Sequence, residues 1–312
     1  MIERMANRYL PFPFERVPQG EIQPQTGPGD LQQLLQRDIE IIRWFIEKRE
    51  GRQFKASPLG DLLNACAQAD LKSPSKRIED LPPSLAQFQL HAVAHLTRLA
   101  WAIRVLCGND ALEQVDGSFI STELLGEDTN QAGIAMKLPG GIGTLIFAAR
   151  LFQAGGGRVW ISGNKKEGYD IRWVTPAGDT ALVERKDRSY EAGLNDTDEK
   201  RAAKVVEEVE RARIPIKPKT FRVLVVGFQH LVPGNDADME RVERVYENAL
   251  RDAFGNNPSG DLPHLVVVEH LGLEPRTGGE KSNFFSPHQV KRGASLMRRV
   301  GPLIMRAIGF DL

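Results

Sequence analysis

Apolar positions along the first third of the chain recur at helical spacing. Leu31, Leu34, Leu35, Ile39, Ile42, Phe45 and Ile46 follow the three- and four-residue rhythm of a helix with one apolar face, and Asp30 is placed to cap it. Ser57-Pro58 reads as a cap followed by proline in the first turn, so a second helix is expected from there to about Leu71. A third is expected from Ser84 to Cys107, on the repeat of Leu85, Phe88, Ala92, Leu99, Ile103 and Leu106, and Gly108 ends it. Residues 29–115 therefore read as a helical domain. Residues 1–28, rich in proline, glycine and glutamine, read as an extended arm pinned by Tyr9, Phe12 and Phe14.

Beyond residue 115 the pattern changes to short β-branched runs between helices. The stretch 108–143 reads as irregular, and Leu138-Pro-Gly-Gly-Ile-Gly143 as a turn, since it has neither the lysine nor the spacing of a phosphate-binding loop. A buried helix over Thr144–Ala154 and a strand over Arg158–Ser162 follow. Two further strands, Ile171–Thr175 and Thr180–Val183, flank a Pro176-Ala177-Gly178 turn. Acids at Asp196–Glu199 start a helix with Ala202, Val205, Val206, Val209 and Ala212 inward, leaving Lys200, Arg201, Lys204, Glu207, Glu208 and Arg211 on a solvated face. Strand Thr220–Val226, a helix capped by Asp236 and strand His264–Glu269 repeat in the manner of a parallel βαβ unit. A final helix is expected from Ser286-Pro287, kinked at Pro302.

Composition narrows the class. Lys and Arg total 41 and Asp and Glu total 41, so no global positive charge points to nucleic acid, and local patches must decide. Cys66 and Cys107 lack metal-ligand spacing and read as reduced core residues, and no apolar run of about 20 residues predicts a membrane span. The N-terminus shows no apolar signal region, so a cytoplasmic protein is expected.

The chemistry concentrates at Gly168–Arg188. With Pro176, Ala177 and Gly178 as the loop, Thr175 faces Asp179, and counting back sets Asp170 opposite Glu184. Directly opposite residues hold their Cβ atoms about 4.5–5.5 Å apart. Two carboxylates that close call for a cation between them. Lys186 shares the face of Glu184, while Arg185 points away and leaves its carbonyl near the site. Carboxylates and a carbonyl form an oxygen site of the kind Mg²⁺ takes.

An aspartate on one strand followed by Glu-x-Lys on the next, here Asp170, Glu184 and Lys186, resembles the PD-(D/E)xK nuclease superfamily. The resemblance implies a restriction-endonuclease-like α/β core, a central mixed sheet flanked by helices, over residues 116–312. It also implies hydrolysis of phosphodiester bonds with Mg²⁺ or Mn²⁺ held by Asp170 and Glu184, and Lys186 assisting the attacking water. DNA is the expected partner ahead of RNA, and a homodimer is an open option. The chain departs from the pattern at Tyr169, where the family has proline, and in a first core helix without an acid, for which Glu123 is the candidate substitute. Glu167 and Asp187 are reserve ligands.

Lys200, Arg201 and Lys204, with the stripe Lys291, Arg292, Arg298 and Arg299, are candidate nucleic-acid contacts. Two other classes stay open. One is a non-catalytic binding or assembly module on the same fold. The other is a zinc hydrolase using His91, His95 or His230, although the H-E-x-x-H pattern is absent.

Overall fold

A computed structural model describes residues 11–21, 31–54, 57, 59–60, 63, 83–126, 131–163, 167–188, 197–213, 220–230, 236–255, 261–272, 283–290 and 298–309. The architecture is α/β, and the chain divides into two compact units, 1–163 and 164–312. That division places the helix and strand preceding the hairpin with the N-terminal helices. Among the described residues, no helix is long and apolar enough to cross a membrane.

In the first unit, α1 (Leu31–Arg43) runs into a π-helical turn at Trp44–Arg49, and α2 spans Pro83–Gly108. Ile39, Ile42, Phe45 and Ile46 are buried, as the periodicity predicts, and α1 packs on α2. The Ser57 hydroxyl accepts from the amide of Gly60 at 3.1 Å, a cap where the Ser-Pro signal put one; most of the helix expected after it lies outside the described residues. Cys107 is buried, which pushes its thiol up to about 12, whereas Cys66 is outside the described residues. The arm is held by Phe12 and Phe14, edge-on to Trp44 at 5.2 and 6.3 Å, and by Gln153, which bonds Gly20 N and Pro18 O. Tyr9 lies outside the described part.

The stretch expected to be irregular contains a strand, β1 (Leu112–Val115), a second π-helical turn (Phe119–Leu124) and the first half of a long helix, α3 (Gln131–Gly155). β1 pairs in parallel with β2 (Arg158–Ile161). Helix α3 continues through the Pro-Gly-Gly-Ile-Gly run because glycine allows close approach there. A Cβ on Gly141 would stand 2.7 Å from the carbonyl of Glu123.

The second unit opens with a hairpin, β3 (Ile171–Val174) and β4 (Thr180–Arg188), followed by α4 (Asp198–Arg211), β5 (Thr220–His230), α5 (Asp236–Phe254), β6 (Leu265–Gly272), β7 (Asn283–Gln289) and α6 (Gly301–Ala307). β4, β5 and β6 are parallel neighbours, and β3 and β7 run antiparallel at either side. Thr197 caps α4, accepting from Lys200 N at 3.3 Å. Leu224, Val226 and Phe228 of β5 and Val266 and Val268 of β6 bury one sheet face against Ala202, Val205 and Val209 of α4 and Val242 and Tyr246 of α5.

Ser286-Pro287 starts no helix. It lies within β7, which among the described residues pairs with β6 alone, and proline is tolerated on such an edge because no described partner needs its missing N–H. Pro302 stands in the first turn of α6 instead of kinking a longer helix.

On the opposite face, Arg185 and Asp187 of β4 register with Val225 and Gly227, and Gly227 registers with Glu269. The Arg185 guanidinium grips Asp187 at 2.7 and 2.8 Å and Glu269 at 2.6 Å, with its side chain only 2% exposed. Burial works against this cation, yet the two carboxylates outweigh it and hold Arg185 firmly charged. Gly227 makes the room: a Cβ there would lie 2.2 Å from Asp187 Oδ1.

Gly227→Ala is expected to cost about 3 kcal/mol or more by prising this buried triad apart, read as a lower denaturant midpoint. A second expectation concerns pH. Burial, against a weaker opposing pull from Glu247, lowers His288 to about 4. The unfolded chain then binds the proton more readily than the folded one, so this residue's contribution is complete above about pH 6.5 and is lost as pH falls toward 4. Replacing it by phenylalanine should flatten that acid slope in urea titrations at about pH 7.5 and about pH 5.

Candidate active site

The site is set by the turn chemistry of the hairpin. Gly178 takes φ +83°, its amide bonds Thr175 O at 2.9 Å, and the amide of Thr175 bonds Asp179 O at 2.9 Å. This three-residue loop fixes the ladder Val174↔Thr180, Trp173↔Ala181, Arg172↔Leu182 and Ile171↔Val183. The regular ladder ends there, and Asp170 is held just beyond it by bonds to Val183 and Arg185, on either side of Glu184. Asp170 donates its amide to Val183 O at 2.8 Å, and its Oδ2 accepts from the Arg185 amide at 2.6 Å. The N–H of Arg185 thus faces the Asp170 carboxylate.

Glu184 and Lys186 register with Leu224 and Val226, so they share the face on which α4 and α5 pack. Lys186 Nζ lies 2.9 Å from Glu184 Oε1, with the lysine 42% exposed and the glutamate 15%. From the other side Arg222 reaches Glu184 Oε2 at 3.4 Å. Arg222 also donates to the carbonyl of Ala212 at 3.0 Å, closing the C-terminus of α4 with a positive charge. Its amide is accepted by His264 Nδ1 at 3.0 Å.

Burial pulls Lys186 down, but the hydrogen bond and charge of Glu184, with Asp170 and Glu208 behind them, hold the ammonium above the ordinary lysine value. At neutral pH it is a proton-bearing donor and not a base. Its stabilising contribution is complete below the ordinary lysine pKa and fades as pH rises through the raised value.

Glu208 is the residue the sequence reading misplaced. Set on the solvated face by inspection, it is 4% exposed, accepts from Arg211 at 3.1 Å, and places its charge where Lys186 feels it. The signal was available: Arg201, Val205, Glu208 and Ala212 repeat at four, three and four, one helix face. Arg201 on the same stripe is likewise buried and pairs with Asp198 at 2.6 Å, so its charge is spent within the fold. Lys200 is exposed and Lys204 half-exposed.

The remaining candidates divide. Arg298 and Arg299 are exposed, and Arg299 pairs with Asp179 of the hairpin turn at 3.0 Å, an acid the linear stripe did not reveal. Lys291 and Arg292 lie outside the described residues. Glu123 sits in the first unit, in the turn whose backbone packs on Gly141. Asp187 is on the sheet face away from Glu184 and bound to Arg185, which removes it as a reserve ligand; Glu167 is exposed and hydrogen-bonds Tyr169, whose hydroxyl burial and that bond push up to about 12. His91 and His95 fall in α2 and His230 ends β5, with their side chains outside the described part.

The chemistry of the donor set fits a hard cation. Asp170 and Glu184 offer oxygen alone, and Mg²⁺ is commonly held by one or two carboxylates, with substrate phosphate and water completing the shell. Among the described residues no group of three or more His, Cys, Asp or Glu side chains is placed to hold a metal ion. Comparisons with protein-family models, curated proteins and solved structures gave no match to this chain.

Glu184→Gln should lower the Lys186 pKa, since it deletes the strongest interaction holding the proton. Selective acylation followed against pH should show Lys186 reacting faster in the variant; an unchanged profile would dissociate the two side chains.

Proposed function

We propose that this chain is a metal-dependent nuclease that hydrolyses phosphodiester bonds, in DNA ahead of RNA. The observation that carries the reading is Glu184 with Lys186 at 2.9 Å on β4, and Asp170 bonded to the amide of the residue between them at 2.6 Å. The chain order α3, β2, β3, β4, α4, β5 supports it, being the order of helix, three strands, helix and strand that the PD-(D/E)xK resemblance implies.

Each side chain then has a task that its surroundings favour. Asp170, its carboxylate oriented by the Arg185 amide, and Glu184 would hold Mg²⁺ or Mn²⁺, which when bound supplies Lewis-acid stabilisation of the charge building on the phosphate. Lys186 keeps its proton at neutral pH, so it orients the attacking water and donates to the oxygens that gain charge. Arg222 pins Glu184 from a buried position at the end of α4, where little freedom is left to the carboxylate. The same pairing favours a second reading. With both Glu184 oxygens already facing cations, the cluster serves equally as a neutralised platform in a binding module that no longer cuts.

Incubating plasmid, linear DNA and RNA with Mg²⁺, Mn²⁺ or EDTA separates the two. The nuclease reading expects cleavage that EDTA abolishes and that falls about a thousandfold or more in Asp170→Ala, Glu184→Ala and Lys186→Ala proteins that still melt cooperatively. Retained binding without cleavage in any metal would favour the platform.

A further inference from the structure

A cleft of about 700 Å³ opens in the first unit beside the π-helical turn that follows α1. The volume suits one small ligand, since such sites run about 300–1,000 Å³. Among the described residues that line it, Arg43, Lys48 and Arg52 stand with Gln53 and the half-buried ring of Phe54, and Glu47 is an acid.

The placement of these cations comes from the backbone. The π-helical turn closes with Glu50 N on Phe45 O at 3.0 Å and Arg52 N on Ile46 O at 2.9 Å, and Gly51 at φ +62° swings the chain so that residues 52–54 return along the cleft. Arg52 is tethered by one guanidinium nitrogen to the carbonyl of Gly117 at 3.4 Å, which orients the group without neutralising it. Among the described residues neither Arg52 nor Lys48 has a carboxylate partner. Arg43 sits over the Phe54 ring at 6.0 Å, so a planar cation and an aromatic ring stand together at the wall.

An excess of cations over acids among the described lining residues favours an anion, and a guanidinium held in a fixed plane favours phosphate. An aromatic ring next to them favours a flat partner, since base-on-aromatic stacking is sequence-tolerant and worth about 1–3 kcal/mol. We propose that this cleft binds a nucleotide, its phosphates on Lys48 and Arg52 and its base against Phe54 and Arg43. The shared chemistry is a phosphate ester carrying a base, supplied by a free nucleotide or by a segment of single strand. The assignment is independent of the proposed nuclease site.

Calorimetric titration of the full chain in EDTA, where metal at Asp170 and Glu184 is excluded, tests it with ADP, adenosine, pyrophosphate and a ten-residue oligothymidylate. ADP should bind, and adenosine should bind at least tenfold more weakly. Lys48→Glu, on an exposed side chain, and Arg52→Ala should each weaken ADP about tenfold or more. Phe54→Ala should weaken ADP by a similar factor and leave pyrophosphate unchanged. Tighter binding of the oligonucleotide than of ADP, lost in the same variants, would name a strand as the source. If Arg52→Ala fails to fold, Lys48→Glu and Phe54→Ala decide. Failure of ADP and oligonucleotide to bind at millimolar concentration, or affinities unmoved by Lys48→Glu and Phe54→Ala, would overturn the proposal.

Discussion

Five consecutive charged residues, Glu184 to Arg188, end β4, and the second unit depends on the first four of them being paired. Strand geometry sends them alternately to two faces, and a charge carried into either without a partner costs several kcal/mol. On one face Arg185 is clamped between Asp187 and Glu269, with Gly227 leaving the space. On the other, Glu184 lies between Lys186 and Arg222. The apolar residues that pack α4 and α5 onto β5 and β6 supply most of the burial, but these two ionic groups fix where β4 stands beside β5.

The two faces use charge differently. The Arg185 triad is sealed, and its ions hold three parallel strands in one register. The Glu184 cluster is half open, with the Lys186 ammonium reaching solvent and the carboxylates behind it. A sealed network gives rigidity. A network with one accessible cation has a donor that can meet a ligand from solvent, and the proposed chemistry stands on that difference in exposure.

Helix α4 links the core to the site. Its last carbonyl is closed by Arg222, the residue that also holds Glu184, and its buried Glu208 adds to the field on Lys186. The position of Glu184 therefore depends on how α4 seats against the sheet, and the apolar stripe Ala202, Val205 and Val209 contributes to the site without touching it.

Local chemistry made the hairpin legible. Proline and glycine at fixed positions in a three-residue loop, with period-two strands on each side, leave one register, the ladder from Val174↔Thr180 to Ile171↔Val183. The amphipathic helices and the parallel strands β5 and β6 were legible for the same reason, since their periods of 3.6 and two residues are written in the side chains. What the sequence left undetermined depends on neighbours distant along the chain. β1 is too short to show a period, α3 runs through glycines because Gly141 meets the Glu123 carbonyl, and Ser286-Pro287 is a strand because β7 is an edge. Arg222 and Glu269 met the charges of β4 only when β5 and β6 were laid beside it, and Glu208 came near Lys186 only when α4 packed on the sheet. A pairing across a sheet is decided by packing, and no spacing along the chain encodes it.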